Sequence, residues 1–454
     1  MFTANRQDLT QGVIWRKILA FFFPLFLGSL LQQLYTTADA VIVGRFAGKD
    51  ALASIDAIYS LAKFPIILFR GLSAAAAILI SQSYGAKDNE SLSQTVHTAA
   101  ALSIVGGGVL SAIGLLAARP AMGWLNVPDD ILGGTLSYVR ITFCGMPATL
   151  AYSLGSGILR AVGDTRTPLA YMAVCNILNV ALDALFVGVF RWDVAGAAAA
   201  TVMSQCVSAA LIVRRLARTD APYRLFIRKI HLNKGVAARI LRMGAPMSLQ
   251  NALYPVSNMA LQSGINTHGV DSIAAWALCG KLDLLVWVAA DTFSDAISIF
   301  AAQNFGAKAY DRIKRGVRVC LAASVLVVGI LSAILIAWCA PLGGMIISDR
   351  NVIDTCASIM RAVAPFYVAY ALSEGLSGAI RGMGDTFRPM LVTLAGTCGL
   401  RVAWVMFLPQ ARGSLLGLLA AYPASWIAAA AALAVLYFIK KASIGQTNAP
   451  IGQN

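Results

Sequence analysis

Apolar segments of about 20 residues recur along the whole chain, separated by short polar connections. A helix needs about 20 mainly apolar residues to cross a lipid bilayer. No segment alternates in the manner of a membrane β-barrel strand. The pattern therefore predicts an all-α polytopic membrane protein with twelve transmembrane helices. The predicted spans are 17–43, 54–82, 97–118, 136–159, 168–190, 195–214, 243–264, 273–303, 317–338, 362–380, 389–408 and 415–439.

Composition and charge fit this picture. Only 13% of the residues are charged, against about 25% in a soluble protein. The net charge of +15 does not form one basic patch, which argues against a nucleic-acid partner. Roughly 24 Lys and Arg lie at the termini and in the even-numbered connections, and about seven lie on the opposite side. Both termini are therefore expected in the cytoplasm.

An internal repeat organises the chain. The stretch 82–87 (QSYGAK) recurs as 303–308 (QNFGAK), and 160–165 (RAVGDT) recurs as 381–386 (RGMGDT), both at the same offset in sequence number (303 − 82 and 381 − 160). Each repeat holds six spans, so two six-helix bundles related by a pseudo-twofold along the membrane normal are expected. The predicted domains are an N-terminal lobe (1–214), a basic cytoplasmic linker (215–242) and a C-terminal lobe (243–454). We expect the Gly-Asp-Thr turns to serve turn geometry and helix capping.

Two acidic residues lie deep in the apolar segments of the N-terminal half. Tyr35 and Asp39 share one helical face in the first span, and Asn176, Asn179 and Asp183 share another in the fifth. A carboxylate in this setting costs roughly 3 kcal/mol on insertion scales.

Thr201, on the sixth span, lies at a similar depth. Counted from the outer ends, Asp39, Asp183 and Thr201 lie about five, seven and six residues in, which is one level to within about a helical turn. Two carboxylates, an amide and a hydroxyl make an oxygen site suited to Na⁺, or two carboxyl groups that share a proton. The alternative is that both acids only hydrogen-bond helices together.

Several motifs resemble the multidrug and toxic compound extrusion (MATE) family over essentially the whole chain. They are the 6+6 plan, the pattern from Pro24 to Gln33-x-Tyr35-x-x-x-Asp39, the Gln-x-Tyr/Phe-Gly-Ala-Lys loops, and the paired Arg-x-x-Gly-Asp-Thr turns. The chain is most similar to the bacterial branch of drug and dye exporters. The resemblance implies a secondary active multidrug efflux antiporter of the bacterial inner (plasma) membrane. Such a protein is not an enzyme and exchanges Na⁺ or H⁺ for organic, often cationic, compounds by alternating access, with no cofactor.

The resemblance also implies residue roles. It places the cation-coupling site at Asp39, Asn179, Asp183 and Thr201, which are the residues that would hold Na⁺, with Tyr35 beside them. Asn176 is added to the predicted site because it shares a helical face with Asn179 and Asp183. Pro24 offers a kink through which ion binding could bend the first helix. The expected partners are small organic molecules and membrane lipids, with the chain acting as a monomer.

The C-terminal half differs from its repeat partner. Ala260 and Trp404 stand where the offset would place Asp39 and Asp183. Its own acids allow two interpretations. In the first, Asp291, Asp295 and Glu374 line the substrate path. The resemblance favours this role for Glu374, because members of the family often have an acid in the tenth span. Alternatively, some of them pair with Arg401 or Lys281.

Other functions find less support in the sequence. A flippase for lipid-linked oligosaccharides or another amphipathic substrate is the main alternative, and additional spans with a strongly cationic cavity would favour it. A major-facilitator transporter would need a different turn after the second span, and a channel would show no ion-driven accumulation. The chain has no G-x-x-x-x-G-K-[ST] phosphate loop and no G-x-S-x-G elbow. Its eight cysteines form no C-x-x-C pair, and its three histidines form no metal motif.

Overall fold

Seven helices build the N-terminal half in the computed structural model, which describes residues 8–46, 48–408 and 413–446. The helices are α1 Ile14–Phe46, α2 Gly48–Gly85, α3 Asn89–Trp124, α4 Asp129–Cys144, α5 Met146–Ala161, α6 Arg166–Asp183 and α7 Asp193–Ala217. Together α4 and α5 form the fourth span, which breaks at Gly145 before Pro147 because proline has no N–H to continue the helix. A π-helical turn, Ala184–Val189, extends α6 to complete the fifth span.

Ten helices build the C-terminal half in the described residues. They are α8 Lys234–Asn266, α9 Val270–Leu282, α10 Leu284–Gly306, α11 Tyr310–Gly344, α12 Arg350–Val363, α13 Tyr367–Gly382, α14 Phe387–Thr393, α15 Leu400–Phe407, α16 Leu415–Leu419 and α17 Ala421–Gln446. The pairs α9–α10, α12–α13, α14–α15 and α16–α17 each form one span. A π-helical turn, Leu394–Gly399, joins α14 to α15. The prediction of twelve spans in an all-α membrane fold is confirmed.

Hydropathy alone finds fewer spans than the fold contains. Within the described residues, ten helical stretches are long and apolar enough to cross a membrane. The fourth span is absent from this set because α4 and α5 have only 16 residues each. Helix α8 is absent as well, and it carries the polar residues Gln250, Asn251, Ser257 and Asn258.

The internal repeat is confirmed by the backbone. Lys87 and Lys308, which lie one repeat offset apart, both adopt a left-handed conformation, with φ of 57° and 55°. Gly163 and Gly384, separated by the same offset, have φ of 88° and 89°.

The acids of the Gly-Asp-Thr turns cap the helices that follow them, as expected. Asp164 Oδ1 accepts from the Thr167 N–H at 3.0 Å, and Asp385 Oδ1 accepts from the Arg388 N–H at 3.2 Å. These bonds satisfy donors at helix N-termini that have no partner within the helix.

Contacts divide the chain into two compact units. Unit 1 contains Phe23–Ser248, and unit 2 contains Leu9–Phe22 and the chain from Leu249 onward. The basic linker and the first part of α8 thus belong to unit 1, where the Ser248 hydroxyl donates to the Leu68 carbonyl. In unit 2, the rings of Phe22 and Phe293 stack with centroids 3.9 Å apart.

The segment Leu9–Gly12 is fixed within unit 2 by the second copy of the repeated loop motif. Leu9 is buried, its N–H donates to Gln303 Oε1 at 3.1 Å, and its carbonyl accepts from Asn304 Nδ2 at 3.3 Å. Gln303 and Asn304 are fully buried. The motif in this half therefore has a structural role in anchoring the start of α1.

Arg312 completes this anchor, and its replacement by alanine should release the segment. Its guanidinium donates to the carbonyls of Leu9, Gln11 and Gly12 at 3.1, 2.9 and 2.8 Å. Because these bonds are charge-assisted but partly exposed, we expect Arg312→Ala to cost about 2 kcal/mol. Thermal unfolding and the rate of proteolysis near Arg16 measure the effect. Arg318→Ala is the control, since the Arg318 Nε donates to Lys314 O of its own helix. Equal melting temperatures in both variants would contradict the assignment.

The eight cysteines are free thiols. Three of them meet in unit 2, where Cys356 Sγ lies 3.2 Å from Cys279 Sγ and 3.6 Å from Cys339 Sγ. All three side chains are buried. Because they lie on α9, α11 and α12, their packing joins these three helices.

Candidate cation site

Three helices of unit 1 bring the predicted cation-coupling residues together. Helix α1 supplies Tyr35 and Asp39, α6 supplies Asn176, Asn179 and Asp183, and α7 supplies Thr201. Residues three, four and seven positions apart share one face of a helix, so each helix presents its polar residues to the same place.

The first helix is joined to the other two by polar contacts. The Tyr35 hydroxyl lies 3.3 Å from Thr201 Oγ1 on α7. The Asn176 amide of α6 donates to the carbonyl of Leu31 on α1 at 3.2 Å. The amide of Asn176 is thus used in joining helices, about two turns before Asp183 on α6.

Asn179 orients the buried carboxylate of Asp183. With the amide placed so that both of its ends are satisfied, its NH₂ donates to Asp183 Oδ2 at 2.8 Å and its oxygen accepts from the Thr201 N–H at 3.2 Å. Asn179 and Asp183 are 1% and 0% exposed. This arrangement fixes one oxygen of Asp183 and leaves the other to the site.

The second oxygen of Asp183 gives the site its electrostatic character. Asp183 Oδ1 is buried and receives no hydrogen bond from a donor in the described part of the chain. The Asp183 carboxyl lies close enough to the half-buried Asp39 carboxyl for the two to act on each other electrostatically. Two adjacent carboxylates in a low-dielectric setting repel one another by several kcal/mol, so a proton or a metal cation between them stabilises the pair.

The donor set suits a hard monovalent cation. Carboxylate, amide and hydroxyl oxygens are the ligands that Na⁺ and similar cations prefer. Asp39, Asp183, Thr201 and the Tyr35 hydroxyl offer such oxygens here. The described residues contain no group of three or more His, Cys, Asp and Glu side chains of the kind that holds a transition metal.

The three predicted substrate-path acids lie in unit 2. Glu374 on α13 pairs with Arg381, with Oε2 and Nη2 3.8 Å apart. The Tyr370 hydroxyl donates to Asp291 Oδ1 at 2.9 Å. Asp291 and Asp295, on α10, are exposed. Asp291 and Asp295 both lie close enough to Glu374 to act on it electrostatically, so the three residues form one acidic cluster.

The predicted pairing of these acids with Arg401 or Lys281 was wrong. Neither cation has a carboxylate oxygen within 4.0 Å among the described residues. Arg381 takes this role because it lies seven residues after Glu374, on the same face of α13. That spacing is visible in the sequence, but the Gly-Asp-Thr motif that begins with Arg381 points to a turn and not to an ion pair.

Arg401 instead occupies an aromatic enclosure that sequence reasoning missed. Its guanidinium carbon lies 4.4 Å from the ring centroid of Tyr422, 5.2 Å from that of Tyr254 and 5.9 Å from that of Trp426. A desolvated cation over such a ring gains about 2 kcal/mol.

Comparison with known proteins identifies the family. The sequence profile of the MatE family matches residues 24–185 and again residues 246–406. The chain belongs to the MatE family. The starts of the two matches (24 and 246) agree with the repeat offset to within one residue, so each half of this MATE chain is one copy of the family's unit.

The curated relatives agree over nearly the full length. The MATE chain is 26% identical over 428 residues to the probable multidrug resistance protein YoeA of Bacillus subtilis, covering 92% of each chain. It is 24% identical over 407 residues to the probable multidrug resistance protein NorM of Thermotoga maritima, covering 87% of this chain and 86% of the relative.

A solved structure confirms the fold. A MATE crystal structure in the bent conformation matches with a TM-score of 0.89 at 20% identity, covering 98% of this chain and 99% of the other. Membership in the MATE family makes this chain a multi-pass membrane transporter and not an enzyme.

Proposed function

We propose that this MATE protein exports organic compounds from the cell in exchange for Na⁺ or H⁺ that enters through the Asp39–Asp183 site. The relatives named above both carry the name probable multidrug resistance protein, which supports drug-like organic compounds as the substrate class. The basic residues at the termini and even-numbered connections favour an orientation with both termini in the cytoplasm of a bacterial plasma membrane. The chain works as a monomer that contacts membrane lipids along its exposed apolar helices.

One observation carries the proposal. Asp183 Oδ1 is fully buried and has no donor in the described chain, and the Asp183 carboxyl group lies beside that of Asp39. A pair of acids with only a structural role would be expected to meet donors from neighbouring helices on all buried oxygens, since an unsatisfied buried acceptor costs about 1–3 kcal/mol. An exchangeable cation or proton would supply the missing partner of the buried Asp183 Oδ1.

In this proposal, ion occupancy changes the position of α1 relative to α6 and α7. With the site empty, repulsion between the carboxylates drives α1 away from α6. With a proton or Na⁺ bound, the charge is neutralised and Tyr35, Thr201 and Asn176 can hold α1 against α6 and α7. The equilibrium between the two arrangements therefore depends on the ion, as coupled exchange requires.

Dye transport tests the proposal directly. Purified protein is reconstituted into liposomes, and export of a fluorescent organic cation is followed with an imposed Na⁺ gradient at equal pH, or a pH gradient without Na⁺. We expect concentrative transport with one gradient and loss of accumulation when that gradient is collapsed. Transport of dye down its own gradient only, with no response to either ion, would refute exchange.

Removing the Tyr35 hydroxyl should weaken cation binding without abolishing transport. Tyr35→Phe keeps the ring but removes the contact with Thr201 Oγ1. Because one neutral hydrogen bond contributes about 1 kcal/mol, we expect the ion concentration for half-maximal transport to rise about fivefold, with little change in maximal rate. Initial rates of dye uptake across a series of ion concentrations measure this. Tyr171→Phe is the control, because Tyr171 lies on α6 about three turns before Asp183. An equal shift in both variants would argue against a ligand role for Tyr35.

A further inference from the structure

The fully buried Arg401 is the charged group that the proposed exchange does not use. It is 0% exposed and lies in the outer part of the eleventh span, with α8 and α17 on either side. Nε donates to Ser425 Oγ at 3.0 Å, and Nη1 donates to Asn258 Oδ1 at 2.8 Å. Nη2 is also buried, yet it has no hydrogen-bond acceptor in the described chain.

The surroundings of Arg401 do not cancel its charge. The rings of Tyr254, Tyr422 and Trp426 contribute the partial negative charge of their faces but no net charge. Among the described residues no carboxylate lies within 4.0 Å of the guanidinium.

Two acids of unit 2 come near the enclosure, but each is already bound. Asp283 acts electrostatically on Tyr422, and its Oδ2 accepts from the Tyr367 hydroxyl at 2.8 Å. Glu374 acts on Tyr254 and is paired with Arg381. The enclosure therefore keeps a buried positive charge, and the two N–H donors of Nη2 have no acceptor at hydrogen-bond geometry in the described chain.

The internal repeat makes this enclosure the counterpart of the cation site. Tyr422 repeats Thr201 at the same offset (422 − 201), and α8, α14–α15 and α17 repeat α1, α6 and α7. The two charges also lie at similar depths. Counted from the starts of their spans at Phe387 and Arg166, Arg401 comes three residues earlier than Asp183. At about 1.5 Å per residue, their levels differ by about 4.5 Å.

The π-helical turns place Arg401 on the matching face. A π-helical turn takes one residue more than an α-helical turn. The π-helical turn Leu394–Gly399 comes before Arg401, whereas the turn Ala184–Val189 comes after Asp183. The second half therefore has one extra residue before Arg401 that the first half does not yet have at the corresponding point. Residues that occupy the same face at this level are thus separated by the repeat offset plus one. Arg401 then stands where Asn179 stands in the other half (401 − 222 = 179), and both side chains are buried.

We infer that unit 2 contains a binding site for a small inorganic anion at Arg401 Nη2, a charge-inverted copy of the cation site of unit 1. The second donor available is the indole N–H of Trp426, which is buried and makes no hydrogen bond in the described residues. The Tyr254 hydroxyl lies near both groups, so its oxygen faces their N–H donors outside normal hydrogen-bond geometry, and its own O–H can donate to a bound anion. Asn258 and Ser425 hold the guanidinium in place. Chloride fits this chemistry, since it accepts hydrogen bonds from several donors and carries a single charge.

Chloride binding to the purified full chain tests the inference. Protein in nanodiscs of zwitterionic lipid is titrated with sodium chloride against sodium gluconate at constant Na⁺, so that the cation site sees no change. A ligand that binds only the folded state raises the melting temperature by mass action. We expect a saturable rise with chloride in the wild type and none in Arg401→Gln.

Conservative variants separate anion binding from a structural role of the arginine. Arg401→Lys keeps the charge without the planar fork, so the chloride concentration at half effect should rise about tenfold or more. Trp426→Phe keeps the ring and removes only the N–H, and should raise that concentration several-fold. Trp338→Phe is the matched control, because Trp338 is 63% exposed on α11. A chloride effect that is unsaturable, or equal in Arg401→Gln, overturns the inference.

A direct measurement covers the case in which Arg401→Gln does not fold. Binding of radioactive chloride to the wild type should be saturable and weaker in Trp426→Phe, and no saturable binding to the wild type overturns the inference. The result is independent of exchange at the cation site. Protein that binds chloride but shows no ion-driven export would refute the proposed function and leave the anion site standing.

Discussion

Replacing Asp183 by asparagine is expected to abolish ion-driven export while leaving the folded protein in the membrane. The change removes the charge that binds the cation, and loss of one member of a buried ionic pair costs about 3 kcal/mol or more, roughly a hundredfold in affinity. The asparagine side-chain oxygen can still accept from Asn179, so the contact at 2.8 Å survives. Burying a neutral amide is also less costly than burying a carboxylate.

The measurement is dye accumulation in liposomes driven by the ion that supports wild-type export, beside the melting temperature of the same preparation. Asp39→Asn should give the same loss, because the two carboxyl groups share one cation. Asp130→Asn is the matched control, since Asp130 is an exposed acid in the first turn of α4. Normal export by both site variants would leave the acids with a purely structural role.

The sequence was sufficient to predict that these polar residues lie together, because two independent measures converge on the same place. Helical periodicity fixes which residues share a face, as for Asn176, Asn179 and Asp183. Counting from the span ends fixes the depth of Asp39 and Asp183, and the structure joins their carboxyl groups. The number of spans followed in the same way from the length of each apolar segment.

The interruptions within spans were not predicted. Asp283 ends α9 and begins a new turn before α10, and its Oδ2 is taken by the Tyr367 hydroxyl. The sequence shows only a polar residue inside an apolar segment, which fits either a continuous helix or a broken one. The π-helical turns are equally hidden, since no residue type marks them, and they shift the face on which Arg401 lies.

Long-range contacts were also beyond the sequence. The anchoring of Leu9 by Gln303 and Asn304 joins the start of the chain to its second half. Periodicity along one helix carries no information on which helix it will meet. The repeated motif was recognised, but its role in unit 2 depends on a partner from the far end of the chain.

Inserting a side chain at Gly378 is expected to prevent folding of unit 2. Gly378 and Gly382 lie four residues apart on α13 and face Ser294 and Ser298 of α10. A Cβ at position 378 would lie 2.5 Å from the Ser294 carbonyl oxygen. Because that oxygen belongs to the backbone of a helix, it cannot rotate away, and α10 would have to move. Small residues permit such close helix contacts in membranes, where close packing is a main source of association energy.

The same contact carries polar bonds that a larger residue would break. Ser294 Oγ donates to the Glu374 carbonyl at 2.8 Å and accepts from Arg381 Nη2 at 2.9 Å. We therefore expect Gly378→Leu to cost about 3 kcal/mol or more, enough to remove most folded protein, as measured by the yield of monodisperse protein and its melting temperature. Gly108→Leu is the matched control, because a Cβ at Gly108 within α3 meets nothing within 4 Å. Leucine also favours helix over glycine, so the control should be as stable as the wild type. Similar yields for the two variants would show that α10 and α13 can separate without loss of the fold, contrary to a contact made through their backbones.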